Sequence, residues 1–154
     1  MLNPLKLSSI ISLLLMSSTT LYADADNKIE HAIEYRQGAF HVIGWHFGPM
    51  GAMVKGEMPF DAQKFAENAK WVQIVSEMPT LEGFVPGSDQ GDTEAKAEIW
   101  QNWDDFKAKM EKFQEEAAKL AKVAQDASQV DDVKEQLMAT GEACKSCHDD
   151  YKKD

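Results

Sequence analysis

Cys144-Lys145-Ser146-Cys147-His148, close to the C-terminal end of the chain, is the cluster whose residue types and spacing point to a definite chemistry. Cys-x-x-Cys-His is the attachment pattern for c-type haem. The two thiols can add across the two vinyl groups of the porphyrin, and the adjacent imidazole offers a nitrogen to the iron. The chain has only two cysteines and both are in this motif, so none is left for a disulfide or a Cys-rich zinc site. A thioredoxin-like redox pair would call for a βαβ context, which the hydropathy pattern lacks. A chance match leaves the following His unexplained. The motif is therefore read as holding one haem c, covalent through Cys144 and Cys147, with His148 as the metal ligand.

The start of the chain agrees with that chemistry. Lys6 precedes the apolar run Ile10-Ile11-Ser12-Leu13-Leu14-Leu15-Met16, followed by Ser17, Ser18, Thr19, Thr20 and the small residues Ala23 and Ala25. Residues 1–25 read as a secretory signal peptide, too short in its apolar part for a membrane span, with cleavage after Ala23 or Ala25. Export matches haem attachment outside the bacterial cytoplasm and predicts a soluble periplasmic protein with no stable membrane insertion. Residues 26–154 then form one domain of roughly 130 residues with a modest core. The formal net charge of −10 argues against nucleic-acid binding. It suits a basic redox protein partner.

Four helical segments must position the motif. In the first, about 26–53, Ile29, Ile33, Arg36, Phe40, Ile43, Phe47 and Met50 recur in alternating steps of four and three, which is one helical stripe. The second, about 61–78, opens with Asp61 as N-cap after Pro59 and stops at Pro79; Phe65, Val72, Val75 and Met78 give it an inward face. The third carries Ile99, Trp103, Phe106, Met110, Phe113, Ala117, Leu120 and Val123 in one unbroken stripe. The fourth continues the rhythm through Val130, Val133, Leu137, Thr140, Cys144, Cys147 and Tyr151, so both thiols fall on its core-facing side. A long loop, Pro79–Asp92, joins the second and third segments. The simplest architecture is an all-α, antiparallel four-helix bundle with the haem inside it.

Only six residues follow His148, and none is Met or His, so a sixth iron ligand would have to come from upstream. Tyr35-Arg36-Gln37, His46-Phe47-Gly48, Val54-Lys55-Gly56, Pro86-Gly87, Glu98-Ile99-Trp100 and the terminal motif with Tyr151-Lys152 occur in an order that resembles the cytochrome c′ family. The resemblance covers essentially the whole exported part. It implies a five-coordinate haem with His148 as proximal ligand, Arg36 and Gln37 beside the propionates, and Phe40 over the open iron face. It also implies that Thr93, in the segment Thr93-Glu94-Ala95, lies near the haem edge, and that two copies pair through their first two helices as a homodimer.

The residues themselves support part of that picture. Phe40 is one turn beyond Arg36 on the same face, and its ring cannot ligate iron. Arg36 is the only arginine among fifteen lysines; a rim residue snorkelling out of the core is one reading, a planar fork for a haem carboxylate the other and the favoured one. His31, His41 and His46 fall off the stripe and read as surface or interface residues. Met50, Met78 and Met110 read as packing, and Phe84, Phe106 and Phe113 as core or haem wall. The leading function is a non-enzymatic haem protein binding the diatomic gases nitric oxide and carbon monoxide and capable of one-electron transfer. The alternative is a six-coordinate, low-spin electron-transfer cytochrome. A peroxidase would need a distal base and a charge stabiliser, against an apolar predicted face.

Overall fold

The computed structural model describes the backbone of residues 8–153 and side chains from Asn27 onward. The signal-peptide reading therefore falls on residues 1–25 outside those whose side chains are described, and residues 1–7 lie outside the described residues altogether. Helix α1 spans Ser8–Lys55, beginning well before the predicted residue 26. Its buried face from Ile33 onward is Ile33, Arg36, Ala39, Ile43, Met50 and Met53. Pro49 sits inside α1 without breaking it. The helical bond that Pro49 cannot make belongs to the Trp45 carbonyl, and Trp45 is 78% exposed, so water can take that place. The end of α1 is fixed by Gly56 at φ 74°, with Gly56 N–H donating to the Met53 carbonyl and Glu57 N–H to that of Ala52, the Schellman pattern.

Helix α2, Ala62–Ser76, has Asp61 as its N-cap, accepting from Lys64 N–H at 2.9 Å as the sequence predicts. Met78 is not inward-facing: α2 ends at Ser76, and Met78 lies in the turn toward Pro79, exposed. The third predicted segment is also not continuous. A short α3, Glu98–Gln101, is divided from α4, Trp103–Ala124, by Asn102 at φ −122°, ψ 44°. Asn102 donates its side-chain amide back to the Glu98 carbonyl, while its own carbonyl accepts from Phe106 N–H. Asparagine competes with helix in this way and favours boundaries. Val123 is exposed too, because the true helical period drifts off a strict seven-residue repeat and the buried face passes to Leu120, Ala121 and Ala124. Helix α5, Asp131–Tyr151, carries the haem motif.

The four long helices form the antiparallel bundle. α2 packs between α1 and α4, and α4 packs along α5. Phe65, Met50, Leu120, Val72 and Val133 are fully buried at its centre, each stabilising the fold by about 1.5–3 kcal/mol. The buried Glu116 carboxylate binds α4 to α5, taking Lys112 at 2.7 Å, Lys119 at 2.8 Å and Gln136 at 2.6 Å. The fourth side of the square differs: α1 and α5 scarcely meet. That open side faces the haem motif.

Between α2 and α3 the chain makes a 3₁₀ turn, Thr80–Gly83, that docks on α1. Gly83 permits the approach. A methyl group there would stand 2.9 Å from both the Ala32 carbonyl oxygen and Arg36 Cβ.

Candidate haem-binding site

Helical register shows what lines the open side. Phe47 and Gly141 mark where α1 and α5 come together, the Phe47 ring lying 3.8 Å from where a side chain on Gly141 would begin. The helices are antiparallel, so seven residues back along α1 and seven forward along α5, about 10.5 Å in each case, put Phe40 and His148 at about the same height along the bundle. Phe40 is 36% exposed, because the buried face of α1 runs through Ala39 and leaves Phe40 at its edge, toward the gap. The thiols stand on the opposite wall, half-buried. Cys144 packs against the central cluster and Cys147 against a second one built from Phe84, Ile99, Phe106, Met110 and Tyr151. The gap thus lies at the junction of two apolar clusters, with both thiols on its α5 side.

The thiols are uncharged at neutral pH. Desolvation pushes Cys144 and Cys147 each up to about 11, which disfavours a thiolate metal site. His148 is exposed at the helix surface. Partial burial, then the nearby Lys152 charge, hold its pKa below the ordinary imidazole value, favouring the neutral form that a metal requires. Among the described residues no cluster of three or more His, Cys, Asp or Glu side chains could hold a bare ion. The donor set suits a porphyrin iron with one imidazole.

One end of the gap is closed by the loop before α3, and Arg36 organises that loop. Arg36 is 2% exposed as a whole residue, so it does not snorkel. Nη1 donates to the Gly83 carbonyl at 2.8 Å and to Ser88 Oγ at 2.6 Å; Nη2 donates to the Ser88 carbonyl at 2.5 Å and to Thr93 Oγ1 at 2.7 Å. All four protons on the terminal nitrogens are used. The carbon of the fork also lies 4.6 Å from the centre of the Phe84 ring. Burial lowers its pKa to about 10, Asp89 opposing, so the group is charged at neutral pH. Gln37 donates to the Asp92 carbonyl at 2.9 Å. Arg36 and Thr93 are therefore brought together, with Gln37 beside them on α1 bonded to the same loop, and the fork that the sequence reading assigns to a haem carboxylate is taken by loop acceptors.

The C-terminus straps the same loop. Lys96 N–H donates to the Tyr151 carbonyl at 3.0 Å and Lys153 N–H to the Glu94 carbonyl at 2.7 Å, forming an isolated antiparallel bridge between Ala95 and Lys152. Lys152 pairs with Glu94 at 2.9 Å. His46 stands apart on the α1–α2 side, bonded to Asn68 Oδ1 at 2.9 Å and stacked on Trp71. His31 and His41 are exposed. Sequence reasoning missed Ser88, fully buried under Arg36. A lone serine in a Gly-rich loop carries no signal until the arginine is seen reaching across to it.

A bundle with one open side, paired thiols and a neutral imidazole on its last helix, and a buried arginine at the rim can now be compared with known proteins. The profile of the family described as Cytochrome C' matches residues 31–152. The chain belongs to the cytochrome c′ family. Cytochrome c′ of Halomonas halodenitrificans is 42% identical over 128 residues, covering 80% of this chain and 96% of that protein. The solved cytochrome c prime from Shewanella frigidimarina is 51% identical, with a TM-score of 0.77 over 82% of this chain and 97% of that one. A variant of cytochrome c prime from Alcaligenes xylosoxidans, solved as its nitric oxide complex, is 36% identical with a TM-score of 0.72, covering 82% of this chain and 97% of its own.

Cytochromes c′ are haem proteins, and the wall, thiols and imidazole described above fit that group. His148 would hold the iron, and Cys144 and Cys147 the porphyrin edge. No helix among the described residues is long and apolar enough to cross a membrane.

Proposed function

We propose that this chain is an exported, periplasmic c-type haem protein whose iron has His148 as its only protein ligand and takes nitric oxide or carbon monoxide on the face toward Phe40. When bound, the haem supplies an iron that can accept a diatomic ligand or exchange one electron. The reading is supported by helical register, which counts from the Phe47–Gly141 contact to put position 40 level with His148, where an electron-carrying cytochrome would need a ligating side chain. A phenylalanine crowds that face but cannot complete the coordination. Gln37 and Thr93 border the propionates. Arg36 holds the loop behind them and contributes its charge, its terminal N–H groups being engaged with that loop.

Tyr35, Val42, Trp45, Trp71 and Ile74 leave exposed apolar surface on α1 and α2, and a second copy of the chain is proposed to cover it, giving a homodimer.

The test is the visible and resonance Raman spectrum of the purified ferric and ferrous protein. A five-coordinate, high-spin ferrous iron that forms nitric oxide and carbon monoxide adducts is expected. A low-spin resting spectrum near neutral pH would replace this reading with the six-coordinate electron carrier. Haem that survives acid–acetone extraction in the native protein, and is lost in the Cys144→Ala/Cys147→Ala variant, checks the covalent attachment.

A further inference from the structure

Beside the haem motif lies a run of aromatic rings that gas binding does not use. Tyr151, one turn beyond Cys147 on α5, meets the Phe106 ring edge-on at 5.3 Å between centres. Phe106 meets Phe84 at 4.8 Å and Trp103 at 5.6 Å, and Phe84 meets Trp100 at 6.1 Å. Cys147 packs directly against this cluster, so a porphyrin bonded to Cys147 adjoins it. Electron transfer between aromatic groups weakens steeply with distance, and these rings touch. Among them Tyr151 has a feature that ring packing does not explain. Its hydroxyl, in a side chain 5% exposed, donates to Asp105 Oδ2 at 2.6 Å. The carboxylate partner belongs to a residue that is itself exposed to solvent.

We propose that Tyr151 and Asp105, with the adjoining rings, form a proton-coupled one-electron relay through which an oxidising equivalent generated at the haem by a peroxide leaves the centre. The inference rests on the haem reading above and adds a function to it. Burial, then Asp105, pushes the phenol up to about 12, so it is protonated at neutral pH. Such a phenol gives up an electron readily only if its proton has somewhere to go, and Asp105 is in hydrogen-bond reach. Hydrogen peroxide takes up two electrons and two protons to give two waters. Tyr151 supplies one electron, a bound haem would supply the other, and the two protons come from solvent. As Tyr151 is oxidised its O–H bond breaks, and the proton forms a new O–H bond on the Asp105 carboxylate, where it exchanges with solvent. A neutral phenoxyl remains. An external reductant such as ascorbate returns both electrons, one to the phenoxyl and one to the haem, and the phenol regains its proton from Asp105.

A plain structural hydrogen bond, the ordinary fate of a buried tyrosine hydroxyl, would leave no such trace. The experiment uses holoprotein whose covalent haem has first been verified, so that missing haem counts against the haem reading alone. Ferric protein is mixed with hydrogen peroxide, freeze-quenched, and examined by electron paramagnetic resonance, with haem bleaching followed optically in parallel. A tyrosyl signal is expected in the native protein and in Tyr35→Phe. Tyr151→Phe keeps the ring in place; it should lose the tyrosyl signal and bleach several-fold faster. Asp105→Asn still accepts the hydrogen bond but cannot take the proton, so its tyrosyl yield should fall. The proposal is overturned by the absence of a protein radical in the native protein, by a tyrosyl signal unchanged in Tyr151→Phe, or by a tyrosyl yield unchanged in Asp105→Asn.

Discussion

Replacing Arg36 by Lys removes the geometry that the loop depends on while keeping the charge. Four acceptors, the carbonyls of Gly83 and Ser88 and the hydroxyls of Ser88 and Thr93, converge on the two terminal nitrogens of one planar group. An ammonium is one atom with three protons. It cannot reach all four acceptors, so at least one acceptor around a residue only 2% exposed is left without its donor. A buried unsatisfied acceptor costs about 1–3 kcal/mol, and a lost bond to a charged donor about the same. Arg36→Lys should therefore destabilise the holoprotein by about 2–4 kcal/mol, and Arg36→Met, which orphans both carbonyls, by about 3–6 kcal/mol. With a urea slope of about 1–2 kcal/mol per molar, the lysine variant's midpoint should fall by roughly 1–4 M. Hydrogen exchange sharpens the test. The amides of Phe84 and Ser88, which close turns within the loop, should exchange faster, while those in the middle of α2 and α4 keep their protection. A midpoint within about 0.5 kcal/mol of the native protein, or uniform acceleration across all helices, would refute the view that Arg36 acts by holding this loop.

Other expectations follow from the same geometry. Phe40→Ala should speed carbon monoxide association to the ferrous haem, because a closed face reduces apparent affinity by the fraction of time it is open; stopped-flow rates equal to the native ones would relocate the distal face. Since Phe40 is 36% exposed, the stability cost should be about 1–3 kcal/mol, less than for a fully buried ring. Gly83→Ala should cost about 1–3 kcal/mol by pushing the 3₁₀ turn off α1, and should loosen the same loop amides as the Arg36 variants. Glu116 has its pKa lowered from 4.5 to about 2 by Lys112 first, then Lys119 and Gln136. A carboxyl whose folded pKa is depressed stabilises the fold above its unfolded value, and that stability is lost as pH falls from about 4.5 toward 2. Melting curves across that range should be steeper for the native protein than for Glu116→Gln, and parallel curves would remove Glu116 from the account.

The helices and their inward faces were legible because apolar periodicity is a local property of the chain. Ile33, Ile43, Met50, Phe65, Val72, Phe113, Leu120, Val133 and Leu137 are all buried as their spacing requires. The misread positions lie where something other than periodicity decides. Asn102 breaks the third segment by a side-chain bond to its own backbone; Met78 lies beyond the end of α2; Val123 is lost to the drift between a seven-residue repeat and the true helical turn.

The site divides along the same line. Cys144, Cys147 and His148 announce their chemistry in five consecutive letters, since thioether attachment needs both thiols on one helical turn. Arg36 was visible only as an oddity, the single arginine on an apolar stripe. Its partners Gly83, Ser88 and Thr93 are 47 to 57 residues away, and no local rule connects them. The consequence is physical as well as interpretive. A propionate carboxylate approaching this end of the gap would meet a guanidinium whose terminal protons are already committed to the loop. The arginine's charge would act on it at longer range, while its hydrogen bonds hold the loop against which the haem edge would rest. Charge and bonding are thus divided between two tasks. Lysine would supply the charge but could not hold the wall, which gives the chain a physical reason to use arginine here and lysine at its other basic positions.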